Sequence, residues 1–236
     1  MFLDLYYSES NSQILITKDQ ASNFAKKIAH DFNPLHDPEN ARFCVPGDLL
    51  FSLVLAKCGL YQKMSFEFSG MVGEDVPLIF PDNAGQNFSI TDQKEKEYLH
   101  IETEGDVSND KKMIAKLAEG YVEFSGKTFP DLIVPLMKEH DVMINPNRPM
   151  VIYQSMSIEL DTISITEPSL VLHGTSLSVQ GRKGIVLVEF DVKSEEKVIG
   201  KGIKTLALRG LSKFDQSTVD QIVDDYQARK NHFESI

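Results

Sequence analysis

A short polar stretch near the N-terminus carries the residue types that general acid–base chemistry needs. Asp31, Asn33 and His36 place a carboxylate, an amide and an imidazole close together in the chain. Pro34 and Pro38 stand among them, and proline fixes its own φ and restricts the residue before it. We therefore predict an ordered, non-helical loop. An acid and an imidazole on such a loop can share proton transfer when burial and neighbouring groups bring their pKa values near the operating pH.

A buried helix is expected directly after this loop. Residues 49–60 read LLFSLVLAKCGL, and the helix predicted over residues 47–63 is apolar almost all round. Gly47 would begin this helix, where backbone N–H groups lack partners within the helix and favour a developing negative charge. A polar loop held against a core helix is a good position for a functional site.

A second helix is predicted before the loop. Thr17 is a plausible N-cap for a helix over residues 18–29, with its apolar residues on one face. That helix would end just ahead of Asp31 and would anchor the beginning of the loop.

Alternation of apolar and polar residues predicts antiparallel strands through the rest of the first half. These strands are expected over residues 65–72, 76–80, 87–92, 97–107 and 112–126. The last segment contains KLAEG and is compatible with the beginning of a helix. The alternation at Tyr121, Glu123 and Ser125 favours a strand instead.

The second half of the chain repeats this order of elements after Phe129-Pro130. The predicted elements are a short helix over 131–139, an apolar helix from 150 to about 160, strands over 169–180, 184–194 and 197–210, and a tail helix over 215–233. The order predicts an α+β fold with two modules, residues 1–128 and 129–236. We expect a double hot-dog, in which two antiparallel sheets each wrap round a buried central helix.

Composition and charge exclude several classes of partner. The 236 residues are 42% hydrophobic and 25% charged, as in an ordinary soluble globular protein. The net charge of −11 argues against binding of a nucleic-acid backbone, which requires a basic face. Residues 1–16 lack a basic n-region, and no apolar run reaches the length of a membrane span. We therefore expect a cytoplasmic protein that contacts neither nucleic acid nor membrane.

The cysteines and histidines give no sign of a metal site. Cys44 and Cys58 form no CxxC pair and are expected to be buried as small hydrophobic residues. The histidines outside the loop lack Asp, Glu or Cys neighbours at ligand spacing. We therefore predict no metal ligands.

The loop resembles a segment of a known family. Residues 31–36, DFNPLH, resemble the D-x-N-P-x-H segment of the MaoC-like hot-dog hydratases and dehydratases, which include the (R)-specific enoyl-CoA hydratases. In that family the Asp and His lie in an overhanging loop before the central helix. Ala41 and Gly47 also match the family pattern. The resemblance is close over residues 29–63 and only architectural elsewhere.

The sequence departs from the family pattern in three places. Asp37 follows His36 directly, whereas the family has one residue between them. Val45-Pro46-Gly47 stands where the family often has Ala-His-Gly. In the second half, Met143 and Arg148 stand where the Asp and the His would be. The resemblance thus implies one site per chain, in the first module, and a divergent branch of the family.

The resemblance implies a hydro-lyase that adds or removes water across a 2-enoyl or 3-hydroxyacyl thioester, as in fatty acid metabolism. Asp31 and His36 would be the acid–base pair, and Asn33 would orient one of them or fix the loop. The N–H of Gly47 would face the thioester oxygen. Coenzyme A or an acyl-carrier protein would carry the acyl group, with no other cofactor. Arg42 is a candidate cation for the phosphates of that carrier.

The sequence is also compatible with other functions. The chain could be a non-catalytic hot-dog protein that binds an acyl thioester or a lipid, or a module that uses its sheet only for structure or for protein contacts. A thioesterase is a variant of the enzymatic reading, since hot-dog thioesterases also use a carboxylate near the central helix. The expected partner is a small-molecule acyl thioester, and a homodimer could form through a sheet edge.

Overall fold

The fold is α+β, with strands and helices throughout residues 2–81 and 84–235, which the computed structural model describes. The strands are β1 (Ser8–Ser10), β2 (Gln13–Leu15), β3 (Leu60–Phe68), β4 (Leu78–Ile79), β5 (Asn87–Thr91), β6 (Glu97–Ser108), β7 (Val142–Met143), β8 (Val151–Leu160), β9 (Pro168–Gln180), β10 (Lys183–Ser194), β11 (Lys197–Arg209) and β12 (Ser212–Lys213). The α-helices are α1 (Lys18–Lys27), α2 (Gly47–Cys58), α3 (Lys111–Gly126), α4 (Ile133–Glu139) and α5 (Gln216–Glu234).

One antiparallel sheet of ten strands dominates the fold, in the order β1-β2-β4-β5-β6-β3-β8-β11-β10-β9. Strands β7 and β12 form a separate pair. The prediction of two large sheets therefore differs from the structure. Main-chain pairing between β3 and β8, with Ser65 opposite Ser157, joins the strands of both halves into one sheet.

The two halves of the sheet share one order of elements. Helix α2 precedes β3 to β6, and α3 precedes β8 to β11. In the sheet, the strands of each half follow the same order. Strand β3 lies beside β6, followed by β5 and β4, and strand β8 lies beside β11, followed by β10 and β9. A repeat is present, but its second helix is α3 and not the helix that the sequence predicted over residues 150–160. The division of the chain after residue 128 stays a prediction, and α3 lies on its N-terminal side.

The segment over residues 112–126 was predicted as a strand, and this prediction is wrong because the segment is helix α3. The Asp110 side chain accepts hydrogen bonds from the backbone N–H groups of Lys112 and Met113, which satisfies donors at the helix N-terminus. Residues Met113, Ile114, Leu117, Ala118 and Tyr121 have helical spacing and are buried. The helical period and the cap therefore override the local alternation at residues 121–125.

The apolar segment over residues 150–160 was predicted as a helix and is instead strand β8. Met156, Ile158 and Leu160 are buried at a spacing of two, as a strand requires. The strand lies between β3 and β11, where both edges are paired. Residues 150–153 are apolar without alternation, and such a short run does not by itself distinguish a buried strand from a buried helix.

Helices flank the polar loop as predicted, but the predicted helix over residues 47–63 is too long, because residues 60–63 belong to β3. Helix α1 is capped by Thr17 and Gln20, each side chain accepting a hydrogen bond from the other's backbone N–H. Helix α2 is buried on nearly all sides and ends at Gly59, whose φ of 88° suits glycine. Between them, residues 28–46 form a non-helical loop apart from one 3-10 turn, Pro34–His36.

Helices α2 and α3 pack together and against the sheet, and their side chains form the main hydrophobic core. Phe51 of α2 contacts the ring of Phe66 on β3 and the ring of Tyr121 on α3. A second, smaller core lies between α4, α5 and strands β10 and β11. None of the helices in residues 2–81 and 84–235 combines the length and hydrophobicity that spanning a membrane requires.

Candidate active site

The loop after α1 is fixed by hydrogen bonds between its own residues. The Asp31 N–H donates to the Ala25 carbonyl at 2.9 Å. Asp31 Oδ1 accepts from the Asn33 N–H at 2.9 Å, and Asn33 Oδ1 accepts from the Leu35 N–H at 3.1 Å. The Asn33 oxygen thus caps the 3-10 turn, which corresponds to the loop-fixing role considered from the sequence.

This loop places His36 beside Asp31 with a defined ring orientation. His36 Nδ1 lies 2.8 Å from the Cys44 carbonyl oxygen, and because a carbonyl only accepts, Nδ1 carries a proton. Nε2 therefore points away from Cys44 and lies 3.7 Å from Asp31 Oδ2. That separation is too long for a good hydrogen bond but allows one water molecule to contact both atoms.

The surroundings of His36 favour its protonated form. The side chain is buried, with 9% of the residue exposed. Burial alone would lower the pKa of His36, but the contacts with Cys44 and the carboxylate of Asp31 raise this pKa to about 9. At neutral pH, His36 is therefore an imidazolium.

A second polar cluster, which we call the inner cluster, consists of Asp48, Ser125, Tyr153 and Lys204. Ser125 Oγ donates to Asp48 Oδ2 at 2.6 Å and accepts a hydrogen bond from Lys204 Nζ. The Lys204 ammonium lies 4.6 Å from the centroid of the Tyr153 ring, which is a cation–π distance. The Tyr153 hydroxyl is also hydrogen-bonded to the hydroxyl of Tyr121.

The inner cluster is deeply buried. Asp48 is 8% exposed, Ser125 2% and Lys204 4%. Burial raises the pKa of Asp48, although Lys204 and Ser125 act in the opposite direction. The charges of Asp31 and His36 also affect this pKa, which means that the loop pair and the inner cluster are electrostatic neighbours.

Gly47, at the beginning of α2, lies where the Tyr153 ring approaches the helix. A Cβ at position 47 would be 2.6 Å from Tyr153 Cδ1 and 3.2 Å from Phe68 Cε1. Only glycine allows this approach without displacing the rings. Gly47 is the first residue of α2, so its N–H has no acceptor carbonyl within the helix.

One cavity of about 590 Å³ joins these groups. Its wall includes Asp31, Asn33, His36, Gly47, Asp48, Ser125, Tyr153 and Lys204. Apolar residues from the same loop, α2, α4 and β11 complete much of the wall, among them Leu35, Val45, Leu50, Ile133 and Leu206. Its size lies within the usual range for small-molecule sites. The site residues predicted on the loop and on α2 therefore meet in one cavity.

Arg42 is the predicted residue that the structure does not bring to the cavity wall. It is exposed, and its Nη1 lies 3.7 Å from Met150 Sδ. Within the described part of the chain, no group of three or more His, Cys, Asp or Glu side chains could hold a metal ion.

Helix α5 closes another side of the cavity and is tied to the loop. The Tyr226 hydroxyl accepts from the Phe32 N–H at 3.2 Å and donates to the His30 carbonyl at 3.3 Å. Arg229 lies 3.5 Å from an Asp37 carboxylate oxygen. The C-terminal helix and the N-terminal loop thus form adjoining parts of one wall.

Sequence reasoning missed the inner cluster, although two signals were available. Asp48 is a lone acid at the beginning of an otherwise apolar run. Lys204 lies two residues from Gly202 and from Leu206 on the same strand, so it faces the core as they do. Ser125 could not be assigned to the site from the sequence, because residues 112–126 were predicted as a strand. A strand and a helix place Ser125 on a face with different neighbours.

The sequence matches, over residues 1–217, the family described as "Protein of unknown function (DUF3581)". The chain belongs to this family. The DUF3581 match includes the loop, the inner cluster and both central helices, and it ends at the beginning of α5. A search of curated proteins finds no match to the chain.

Several solved structures are similar to this DUF3581 chain at low sequence identity. A protein titled "MaoC-like dehydratase" has a TM-score of 0.42 and 11% identity, with 87% of this chain and 98% of that chain covered. The acyl-CoA thioesterase II TesB2 from Mycobacterium marinum has a TM-score of 0.41 and 8% identity, covering 91% and 100%. A putative oleoyl thioesterase from Lactobacillus plantarum has a TM-score of 0.36 and 6% identity, covering 83% and 90%. Likeness at these TM-scores leaves the function to be argued from the site.

Proposed function

We propose that this protein is an acyl-thioester hydratase or dehydratase of the hot-dog type, with Asp31 and His36 as its acid–base pair. The observation that carries the proposal is the geometry of this pair in the cavity wall. His36 Nδ1 is held by the Cys44 carbonyl, and Nε2 lies 3.7 Å from Asp31 Oδ2. Two proton-transfer groups can thus act on one water molecule and one substrate.

The charges of the pair assign the two roles. In hydration, the Asp31 carboxylate accepts a proton from water while the water oxygen forms a bond to the β-carbon of the enoyl thioester. The electron pair of the C=C bond moves to the α-carbon and the thioester oxygen, and Nε2–H of the His36 imidazolium then protonates the α-carbon. Proton return from Asp31 to His36 restores the pair. Dehydration follows the same steps in reverse.

Gly47 would stabilise the negative charge that develops on the thioester oxygen. Its N–H is the first of α2, where the helix dipole favours an anion. The absence of a Cβ lets the Tyr153 ring pack directly against this position. Asn33 would act indirectly, by fixing the turn that carries His36.

The acyl group would be carried by coenzyme A or by a carrier protein, with no metal or further cofactor in the reaction. Arg42 is exposed and is the predicted contact for the phosphates of the carrier. Arg229 of α5 lines the cavity and is a second candidate for contact with them, although it also pairs with Asp37. We also propose that the protein acts as a monomer or pairs through a sheet edge as a homodimer.

The test is the absorbance of the enoyl-thioester band after purified protein is mixed with crotonyl-CoA. We expect the absorbance to fall with the wild type, and the rate to drop about 100-fold or more in Asp31→Asn and in His36→Gln. Asp75→Asn and His140→Gln repeat these substitutions at exposed positions outside the cavity wall and should leave the rate unchanged. Full activity in both site variants would contradict the assignment.

The same experiment separates catalysis from binding. If wild-type protein binds acyl-CoA in a calorimetric titration but leaves the absorbance unchanged across several chain lengths, the chain is a non-catalytic acyl-thioester or lipid-binding protein. Release of free thiol without loss of the C=C bond would indicate a thioesterase.

A further inference from the structure

The hydration chemistry makes no use of the inner cluster, which nevertheless lines the same cavity. Lys204 is an ammonium with three donors, and Ser125 Oγ is its hydrogen-bond acceptor. In residues 2–81 and 84–235, no carboxylate oxygen lies within the 4.0 Å ion-pair distance of Lys204 Nζ. A cation that is only 4% exposed is thus left without a direct ion pair.

One oxygen of the inner cluster has no hydrogen-bond partner. Asp48 Oδ1 is buried and has no hydrogen-bond partner within the described chain. An unpaired buried carboxylate oxygen is unfavourable in its charged form, and burial raises the pKa of Asp48. Lys204 reaches Asp48 only through Ser125 Oγ, so no acidic oxygen of the cluster contacts the ammonium directly.

The chemistry of this wall selects among possible ligands. An alkyl chain packed against Lys204 would remove water from the ammonium without replacing its hydrogen bonds, which is costly. A neutral hydroxyl would accept one hydrogen bond but leave the charge without a partner. A carboxylate supplies both acceptor oxygens and the opposite charge.

We propose that the inner cluster binds a carboxylate at the far end of the acyl group, so that the substrate is a thioester of a dicarboxylic acid. This inference rests on the proposed function, because it concerns the same acyl thioester. Lys204 would pair with the carboxylate, while Ser125 and the face of Tyr153 hold the ammonium in position. The acyl chain would have to fit within the cavity of about 590 Å³ that the loop pair and the inner cluster both line.

The test compares two saturated ligands, glutaryl-CoA and pentanoyl-CoA, by calorimetric titration of the full chain. The ligands share the coenzyme and the same number of acyl carbons, and neither can be hydrated, so binding is measured without turnover. We expect the wild type to bind glutaryl-CoA at least about tenfold more tightly, as a buried charge-assisted hydrogen bond provides. Equal binding, or tighter binding of pentanoyl-CoA, would overturn the inference.

A pair of lysine variants locates the effect. Lys204→Met removes the charge and keeps much of the side-chain length, and we expect the preference for glutaryl-CoA to disappear. Lys201→Met changes a lysine of the same strand whose side chain is 73% exposed, and the preference should persist. A preference that survives in Lys204→Met would overturn the inference. If Lys204→Met does not fold, Lys204→Gln replaces it, and the wild-type ratio still decides.

The outcomes separate this inference from the proposed function. Hydration of crotonyl-CoA without a preference for glutaryl-CoA would leave the hydratase standing and refute the carboxylate site. A preference for glutaryl-CoA that depends on Lys204, without hydration of any enoyl thioester, would support the carboxylate site and refute the hydratase. Failure to bind either ligand would refute the inference.

Discussion

Replacement of His36 by glutamine should destabilise the protein most strongly at low pH. The folded protein raises the pKa of His36 from 6.5 to about 9, so it holds the proton more tightly than the unfolded chain does. A pKa difference of one between the folded and unfolded states corresponds to about 1.4 kcal/mol of stability. The raised pKa of His36 therefore stabilises the fold by about 3 kcal/mol when the imidazole is protonated in both states.

The sign of the pH dependence follows from the raised value. This stabilisation is fully present below pH 6.5, declines as the pH rises from 6.5 towards 9, and is absent above about pH 9, where His36 is neutral in both states. Glutamine can donate a hydrogen bond to the Cys44 carbonyl but carries no charge. We therefore expect His36→Gln to lose about 3 kcal/mol more, relative to wild type, at pH 6 than at pH 9.5.

The assay is urea unfolding of both proteins at pH 6, 7.5 and 9.5, with the free energy of unfolding extrapolated to water. His140→Gln, at an exposed position, is the matched control and should differ from wild type by a constant amount. A difference between His36→Gln and wild type that stays constant with pH, or grows as the pH rises, would refute the reasoning. It would mean that the Asp31 carboxylate and Cys44 do not outweigh the burial of the ring.

Two further substitutions test the wall of the cavity. Gly47→Ala places a Cβ 2.6 Å from Tyr153 Cδ1 and should lower the free energy of unfolding by about 1–3 kcal/mol. Gly73→Ala, where a Cβ meets nothing within 4 Å, should change it little, and equal losses would contradict the packing argument. Tyr226→Phe removes the hydroxyl that accepts from the Phe32 N–H and should cost about 1–3 kcal/mol in thermal or urea unfolding. An unchanged stability would show that α5 is not held to the loop by this hydroxyl.

The parts of the fold that the sequence predicted are those with strong local signals. Thr17 begins α1 with a side-chain cap, as predicted, and α2 begins at Gly47 as predicted. The predicted helix over residues 47–63 is too long, because α2 ends at Cys58 and residues 60–63 belong to β3. The proline-bearing loop between these helices is constrained by its own covalent geometry. Local chemistry is sufficient in these places, and the structure of the loop and its flanking helices confirms the prediction.

The two errors of secondary structure have different physical origins. Helix α3 carries local helix signals, the Asp110 cap and the helical spacing of its buried residues, which the alternation at residues 121–125 obscured. Strand β8 is extended because β3 and β11 supply hydrogen-bond partners on both sides. Its alternation is confined to residues 155–160, and the apolar residues 151–153 before them are compatible with either a buried helix or a central strand.

The site was predictable only in part for the same reason. Asp31, His36 and Gly47 are close in sequence, so a local motif brings them together. Ser125 lies 77 residues from Asp48 in the sequence and Lys204 lies further, so only tertiary packing, such as that of α3 against α2, brings them together. Their meeting is a property of the tertiary structure.

The chain of hydrogen bonds from Asp48 through Ser125 to Lys204 connects the repeats on either side of the β3–β8 junction. Asp48 belongs to the repeat that begins with α2, whereas Ser125 and Lys204 belong to the repeat that begins with α3. Residues of both repeats line the same cavity, so neither repeat alone would contain the whole cavity wall. A circular or split version of the chain that separates the two repeats would therefore divide this cavity between two molecules.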